Sequence, residues 1–303
     1  MSAMGGAESP RGPMLSILVV SWNTRDLLRE CLRAAIAAAA GISFEVIVVD
    51  NASGDESAAM VRREFAAEPR VRLIANARNE NFARGNNQAF AVARGSHLLV
   101  MNPDVVLNAT ALRGMIDHLG ARPEAGIVSC SLVGTDGVPQ TLHRAFPTLP
   151  IVCAVWTQAG RALDRWLLLG LNGRRYRLQS RRRSGLAVID QAAAACLLIS
   201  RTTVEAIGGL FDERFPLFFN DVDLSRRVRD ADFEVHVRYD LSVIHHGRAS
   251  IRQLPDGERK LELYDSLARY YDVHEPAWKA RLVRLMVARN RRRAARTRAI
   301  AGL

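Results

Sequence analysis

His97–Leu107 reads HLLVMNPDVVL. The run is apolar and of strand length until it breaks at Asn102-Pro103-Asp104, a turn-forming triplet. A short buried strand that delivers an acidic turn sets Asp104 at the strand's carboxyl end, where open α/β sheets bind ligands and metal ions. Asn-Pro-Asp is also an ordinary turn starter, so the reading depends on its company. Val49-Asp50-Asn51-Ala52-Ser53-Gly54-Asp55 ends an earlier apolar run in the same way, and Asn220-Asp221-Val222-Asp223 opens a later helical pattern.

On the amino-terminal side, Leu15–Val20, Phe44–Val49 and Val71–Ala75 are further strand-length apolar runs. Between them lie helical patterns: Leu27, Leu28, Cys31, Leu32, Ala35 and Ile36 form one stripe after a cap at Asn23 or Thr24, and Met60, Val61 and Phe65 mark a second. Phe82–Arg94 predicts a helix before the His97 strand, and Thr110–Leu119 another after it. Strands buried on both faces that alternate with amphipathic helices predict right-handed βαβ units and a mainly parallel, nucleotide-binding type of α/β sheet. After Gly126–Leu132 the pattern loosens. Residues 139–185 carry three prolines, Trp156, Trp166 and an Arg-rich knot, and are expected to form an insertion over the site. Order returns at Val188–Ser200, and Phe233–Val237 and Leu241–Ile244 read as strands ending in His245-His246-Gly247. The predicted organisation is a flexible tail over 1–13, one α/β domain over 14–255, and a helical basic extension over 256–303.

With 303 residues, 49% of them hydrophobic, the chain can bury a full core. Cys31, Cys130, Cys153 and Cys196 lie far apart with no Cys-x-x-Cys pair, which argues against a zinc knuckle or a disulfide framework and fits a reducing, cytoplasmic setting. No apolar run reaches membrane-spanning length. The net charge of +11 is localised, nine of those charges falling in Lys279–Leu303. There Leu282, Leu285 and Met286 share a stripe flanked by Arg284, Arg289 and Arg291–Arg293, the pattern of a basic helix on an anionic membrane surface, here the inner face of the membrane. The alternative for this segment is an ordinary packed helix. A base-stacking aromatic pattern is absent, so the tail gives no specific nucleic-acid recognition.

Five segments occur in order: SILVVSWNTRDLLRECL, VVDNASGD, NARNENFARGNNQAF, LLVMNPD and GGLFDERFPLFFNDVDLSRRV, with a closing VIHHGRAS. The ordered set resembles family 2 glycosyltransferases of GT-A architecture, and within them a rhamnosyltransferase-like branch, over about Leu15–Ser250. The resemblance implies inverting transfer of a sugar from a nucleotide diphospho-sugar, a dTDP- or UDP-sugar, to a hydroxyl of a saccharide or lipid-linked acceptor.

It also implies roles. Asp50 would accept from a base N–H of the donor nucleotide, with Val20, Ser21 and Asn23 lining the same pocket. The polar loop with Asn76, Asn81, Arg84, Asn86 and Asn87 suits phosphate or ribose; Asn81 stands where relatives often carry Gly, and Asn tolerates a left-handed backbone. Phe82 is expected in the core. Asp104 is the candidate ligand for Mg²⁺ or Mn²⁺, hard cations that neutralise a departing diphosphate. Asn102 replaces the first acid that many relatives carry in that turn. His245, ahead of His246, is the candidate second ligand. Asp221 is the candidate base for the acceptor hydroxyl. Asn220 stands where the family has Glu, and Asp223 is expected to position structure or acceptor. Ala194 replaces a common Gly and is expected to narrow the donor pocket. A non-catalytic nucleotide-sugar binding module of the same fold is the competing reading, supported by Asn102 and Asn220.

Overall fold

The computed structural model describes residues 12–167, 170–178, 184–247 and 251–300. Residues 1–11 of the expected tail, Arg181–Arg183 of the Arg knot and Ser250 of the closing segment lie outside them. The order is β1 (Leu15–Ser21), α1 (Arg25–Ala38), β2 (Phe44–Asp50), α2 (Ser57–Glu64), β3 (Val71–Ala75), α3 (Asn81–Val92), β4 (His97–Met101), β5 (Val105–Val106), α4 (Ala109–Ala121) and β6 (Ala125–Val133). Then follow α5 (Leu149–Trp156), α6 (Gln158–Leu167), α7 (Leu171–Leu178), β7 (Leu186–Ile189), β8 (Cys196–Ser200), α8 (Arg201–Ala206), α9 (Asn220–Asp230), β9 (Glu234–His245), α10 (Asp256–His274) and α11 (Ala277–Ile300).

Among the described residues the nine strands join one sheet in the order β3-β2-β1-β4-β8-β6-β9-β5, with β7 also on β9. Strands β1 to β4 pair in parallel, as the alternating pattern predicts. The second half departs from a mainly parallel sheet: β8 runs antiparallel to both β4 and β6, and β9 runs antiparallel to β5 and β7. The apolar runs of β8 and β6 are as continuous as those of β1 and β2, because both faces of each are buried. Hydrophobicity reports that burial and is silent on strand direction. Leu241–Ile244 is not a separate strand but the end of β9, which shifts register against β6 between Cys130 and Ser131.

One core layer packs α1, α2 and α4 on the sheet through Leu28, Leu32, Met60, Leu112 and Met115. The opposite layer packs α3, α8 and α9 through Ala83, Ala89, Val204, Leu224 and Val228. A third cluster joins the 139–185 segment to the carboxyl-terminal helices: Ile151, Val152 and Trp156 of α5 meet Tyr270 and Tyr271 of α10 and Val283 and Val287 of α11, with Phe215, Phe219 and Val222 from the approach to α9. Helix α5, with Tyr176 of α7, therefore packs beside the start of α9, and from the same segment Leu142 reaches the cleft described below.

Candidate active site

The carboxyl ends of β1, β2 and β4 and the amino end of α9 open onto one cleft of about 330 Å³, within the range of small-molecule sites. Val20, Asn102, Asp104, Asn220, Asp221 and His245 all line it, as does Ala194. The acidic turn after β4 is built as expected: Asn102 N–H donates to the Ala195 carbonyl (2.9 Å), and Val105 N–H donates back to the Asn102 carbonyl (3.2 Å). Asp104 does not face open solvent, since only 4% of it is exposed.

The two-residue strand β5 then pairs Val105 with His245, and His246 N–H donates to the Asp104 carbonyl at 2.9 Å. This brings His245 Nε2 to 3.4 Å from Asp104 Oδ1. His246 points elsewhere, to Glu30 at 3.4 Å. His245 Nε2 is buried and makes no hydrogen bond. A buried imidazole nitrogen aimed beside a carboxylate oxygen fits a divalent cation, with N and O donors acceptable to Mn²⁺ or Mg²⁺. Among the described residues no group of three or more His, Cys, Asp or Glu side chains could hold a metal ion, so a cation here needs further ligands from a bound diphosphate or water.

Asp221 sits in the first turn of α9, after Phe219 in a left-handed conformation (φ +64°) that turns the helix start into the cleft. A non-glycine residue held there costs on the order of 1 kcal/mol and is found where the surroundings enforce it; here the Phe219 ring packs on Tyr270. Burial pushes the Asp221 carboxyl up to about 6, against the opposing pull of hydrogen bonds from the Val222 and Ala194 amides and the nearby Arg144 guanidinium. The Ala194 backbone thus touches the candidate base as well as lining the pocket. Asn220 donates its amide to the Leu217 carbonyl at 2.9 Å, a bond an ionised Glu could not make. The Asn at this position therefore has a specific job in the turn.

Asp223 is wholly buried and bonds Arg227 (2.9 Å) and His274 (2.8 Å), tying α9 to α10.

Other expected donor contacts are spent on the scaffold. Asn76 donates to Asn51 Oδ1 and Gln88 Oε1, and Asn87 exchanges two bonds with the Phe211 backbone, so neither lines the cleft. Arg84 lies half exposed beside Glu80. Ser21 bonds Thr24, and Asn23 holds the Ser53–Gly54 backbone turn. Asp50 lies behind the cleft residue Asn51, accepts from Ser53 N–H through Oδ2, and leaves Oδ1 buried with no hydrogen bond. Asn81 has the anticipated left-handed backbone (φ +66°) and lines the cleft. Phe82, expected in the core, packs on the second core cluster edge-on to Phe211 and at the same time walls the cleft. Gly85 lets α3 approach β1, because a Cβ there would come within 2.9 Å of Val20 Cγ1.

Sequence reasoning missed Trp22, Asn79, Leu217 and Phe218 as cleft residues and Gln140 behind His245. For Trp22 a signal existed: it follows the β1 run directly, at the strand's carboxyl end.

Residues 16–187 match the family model for glycosyl transferase family 2. Uncharacterized protein y4gI of Sinorhizobium fredii is 27% identical over 92% of this chain and 30% of its own length. The O-antigen biosynthesis protein RfbC of Myxococcus xanthus is 30% identical over 79% of this chain and 18% of its own length. The chain thus spans less than a third of either relative. The N-acetylglucosaminyl-diphospho-decaprenol L-rhamnosyltransferase of Mycobacterium tuberculosis is 22% identical, with 89% of this chain matching 88% of it. Among solved structures, a mannosyltransferase of Pyrobaculum calidifontis in complex with GDP-Man and Mn²⁺ superposes with a TM-score of 0.58 at 18% identity, over 97% of this chain and 76% of that one.

Proposed function

The chain belongs to glycosyl transferase family 2, and on that premise we propose that it moves a sugar from a nucleotide diphospho-sugar to a hydroxyl of a saccharide or lipid-linked saccharide, with inversion at the anomeric carbon. The observation that carries this reading is the convergence in one cleft of a carboxylate raised toward neutrality, Asp221, with the Asp104–His245 pair. Asp221 takes the acceptor proton as the hydroxyl oxygen bonds to the anomeric carbon and the bond from that carbon to the diphosphate oxygen breaks. Its carboxyl near 6 is ionised at neutral pH yet basic enough to accept the proton, a match that an exposed Asp lacks. Asp104 Oδ1 and His245 Nε2 would hold Mg²⁺ or Mn²⁺, which when bound neutralises charge on the leaving diphosphate. The buried Asp50 Oδ1, which makes no hydrogen bond, supports a role for this carboxylate in accepting a nucleobase N–H, and Trp22 and Phe82 would offer apolar walls to the donor.

The named relatives favour a polysaccharide or cell-envelope acceptor, and the rhamnosyltransferase similarity favours a deoxyhexose donor. Contact with an anionic membrane surface is part of the same reading, and its support has two places in the fold. On α11 the predicted stripe divides: Met286 turns into the third core cluster, while Leu282 and Leu285 join Trp278 on an exposed ridge. On α6 the polarity is inverted. Asp164 is buried, accepting from Asn172 and Gly173 N–H, while Leu163, Trp166 and Leu167 project outward beside Arg161 and Arg165. No described helix is long and apolar enough to cross a membrane.

The test is a donor screen with purified protein and Mn²⁺ or Mg²⁺ against UDP-, dTDP- and GDP-sugars, reading thermal shift and released nucleoside diphosphate. A metal-dependent shift and release with at least one donor is the expected result. Failure of every donor to bind would overturn the transferase reading.

A further inference from the structure

The side-chain amide of Gln140 contacts His245 twice. Gln140 Nε2 donates to the His245 carbonyl at 2.6 Å, and Gln140 Oε1 lies 2.6 Å from His245 Nδ1. A backbone carbonyl only accepts, so the first bond fixes which end of the amide faces it. Oε1 is then turned to Nδ1, and an amide oxygen also only accepts. Nδ1 must therefore carry the proton, and in a neutral imidazole Nε2 is left with its lone pair. That lone pair is the buried nitrogen without a hydrogen bond, 3.4 Å from Asp104 Oδ1.

Gln140 itself is held: its N–H donates to the Leu132 carbonyl at 2.7 Å, and Pro139 bridges to Val133 at the end of β6. The β5–β9 pairing fixes the His245 backbone, so the remaining freedom is in the ring. The opposite tautomer would put a proton on Nε2, leaving that nitrogen no lone pair for a cation and aiming its N–H at the Asp104 carboxylate, while the Nδ1 lone pair would face the Gln140 oxygen.

We propose that Gln140 is a positioning residue: it holds His245 as the Nδ1–H tautomer, so that Nε2 and Asp104 together present two acceptors to a divalent cation instead of bonding each other. The proposal rests on the reading of Asp104 and His245 as cation ligands. Partners of this kind behind a metal-bound imidazole typically change metal affinity by about 10–100-fold.

The tautomer can be read without metal or substrate. Long-range ¹H–¹⁵N correlation spectra of histidine-labelled, metal-free protein, recorded at mildly alkaline pH and assigned with a His245→Gln control, should show His245 protonated at Nδ1. Gln140→Leu, similar in size but without either bond, should switch the ring to Nε2–H and weaken Mn²⁺ binding in the presence of UDP, dTDP or GDP by about 10–100-fold, followed by electron paramagnetic resonance. Gln140→Glu still offers an acceptor to Nδ1–H and should keep the tautomer and most of the affinity. Wild-type protein with His245 protonated at Nε2, or an unchanged tautomer in folded Gln140→Leu, would overturn the proposal, and should the Leu variant not fold, the wild-type spectrum and Gln140→Glu still decide. A tautomer that switches as expected in protein that binds no Mn²⁺ with any nucleotide would instead overturn the cation reading, so the two failures are distinguishable.

Discussion

Asp221 should couple activity and stability in opposite directions over one pH range. Its carboxyl is raised from 3.8 to about 6, chiefly by burial. The folded state therefore binds this proton more tightly than the unfolded state, so the group's contribution to stability grows as pH falls through about 6 and is complete only below the unfolded value. With those two values, linkage gives about 1.4 kcal/mol of added stability between pH 8 and pH 5, and about 3 kcal/mol over the whole range. Above pH 6 the burial cost of the ionised carboxylate exceeds what its amide hydrogen bonds and Arg144 return, and that ionised form is the one able to accept a proton from the acceptor.

Asp221→Asn cannot titrate. Denaturant unfolding of wild type and variant at several pH values should show the wild type gaining about 1.4 kcal/mol relative to the variant from pH 8 to pH 5, with other groups cancelling in the difference. Over the same interval wild-type kcat/KM should fall as pH drops below about 6, and the variant should have lost roughly two to four orders of magnitude in turnover while still binding donor. A stability difference that does not change with pH would refute the burial argument. Near-normal turnover in the variant would remove Asp221 as the base.

Asp104→Ala should abolish metal-dependent binding of the nucleoside diphosphate, seen by calorimetry with and without Mn²⁺, while circular dichroism shows the fold retained; unchanged metal dependence would dismiss Asp104 as a ligand. Asp223→Ala, which removes the buried carboxylate shared by Arg227 and His274, should cost about 3 kcal/mol in denaturant unfolding, a structural loss separable from any effect on acceptor binding. For the membrane surface, truncation before α11 would strip Val283 and Val287 from Tyr270 and Tyr271 and test folding instead, so point changes are needed. Trp166→Ser with Leu167→Ser, and separately Trp278→Ser with Leu285→Ser, should each lower co-sedimentation with anionic vesicles at low salt; no sedimentation of the parent chain would end the membrane reading.

The first half of the fold was legible because its information is local. Leu15–Val20, Phe44–Val49, Val71–Ala75 and His97–Met101 are apolar apart from Ser16, Glu45, Arg72 and His97, the helices between them carry stripes at helical spacing, and their turns begin with Asx residues or proline. The same locality located Asp50 and Asp104, each where an apolar run ends, and Asp221, where a helical pattern opens. Strand direction in the second half was not legible, since burial on both faces is the same signal for β8 as for β1.

Side-chain duty was not legible either. Asn76 and Asn87 have the polarity of ligand contacts but are consumed by Asn51, Gln88 and Phe211, partners that meet them only once the chain has folded. Phe82 packs on the core as its hydrophobicity predicts, and only the fold shows that it is a wall of the cleft as well. Sequence alone thus determined the α/β layering and the acidic turns, through the periodicity of apolar residues and the chemistry of turn formers. Only the tertiary structure decided that β5 pairs with the end of β9, setting His245 rather than His246 against Asp104, and that Gln140, 105 positions away, grips the ring. Such pairings depend on strand register and on which buried polar atoms need partners, and neither is written in the residues that flank them.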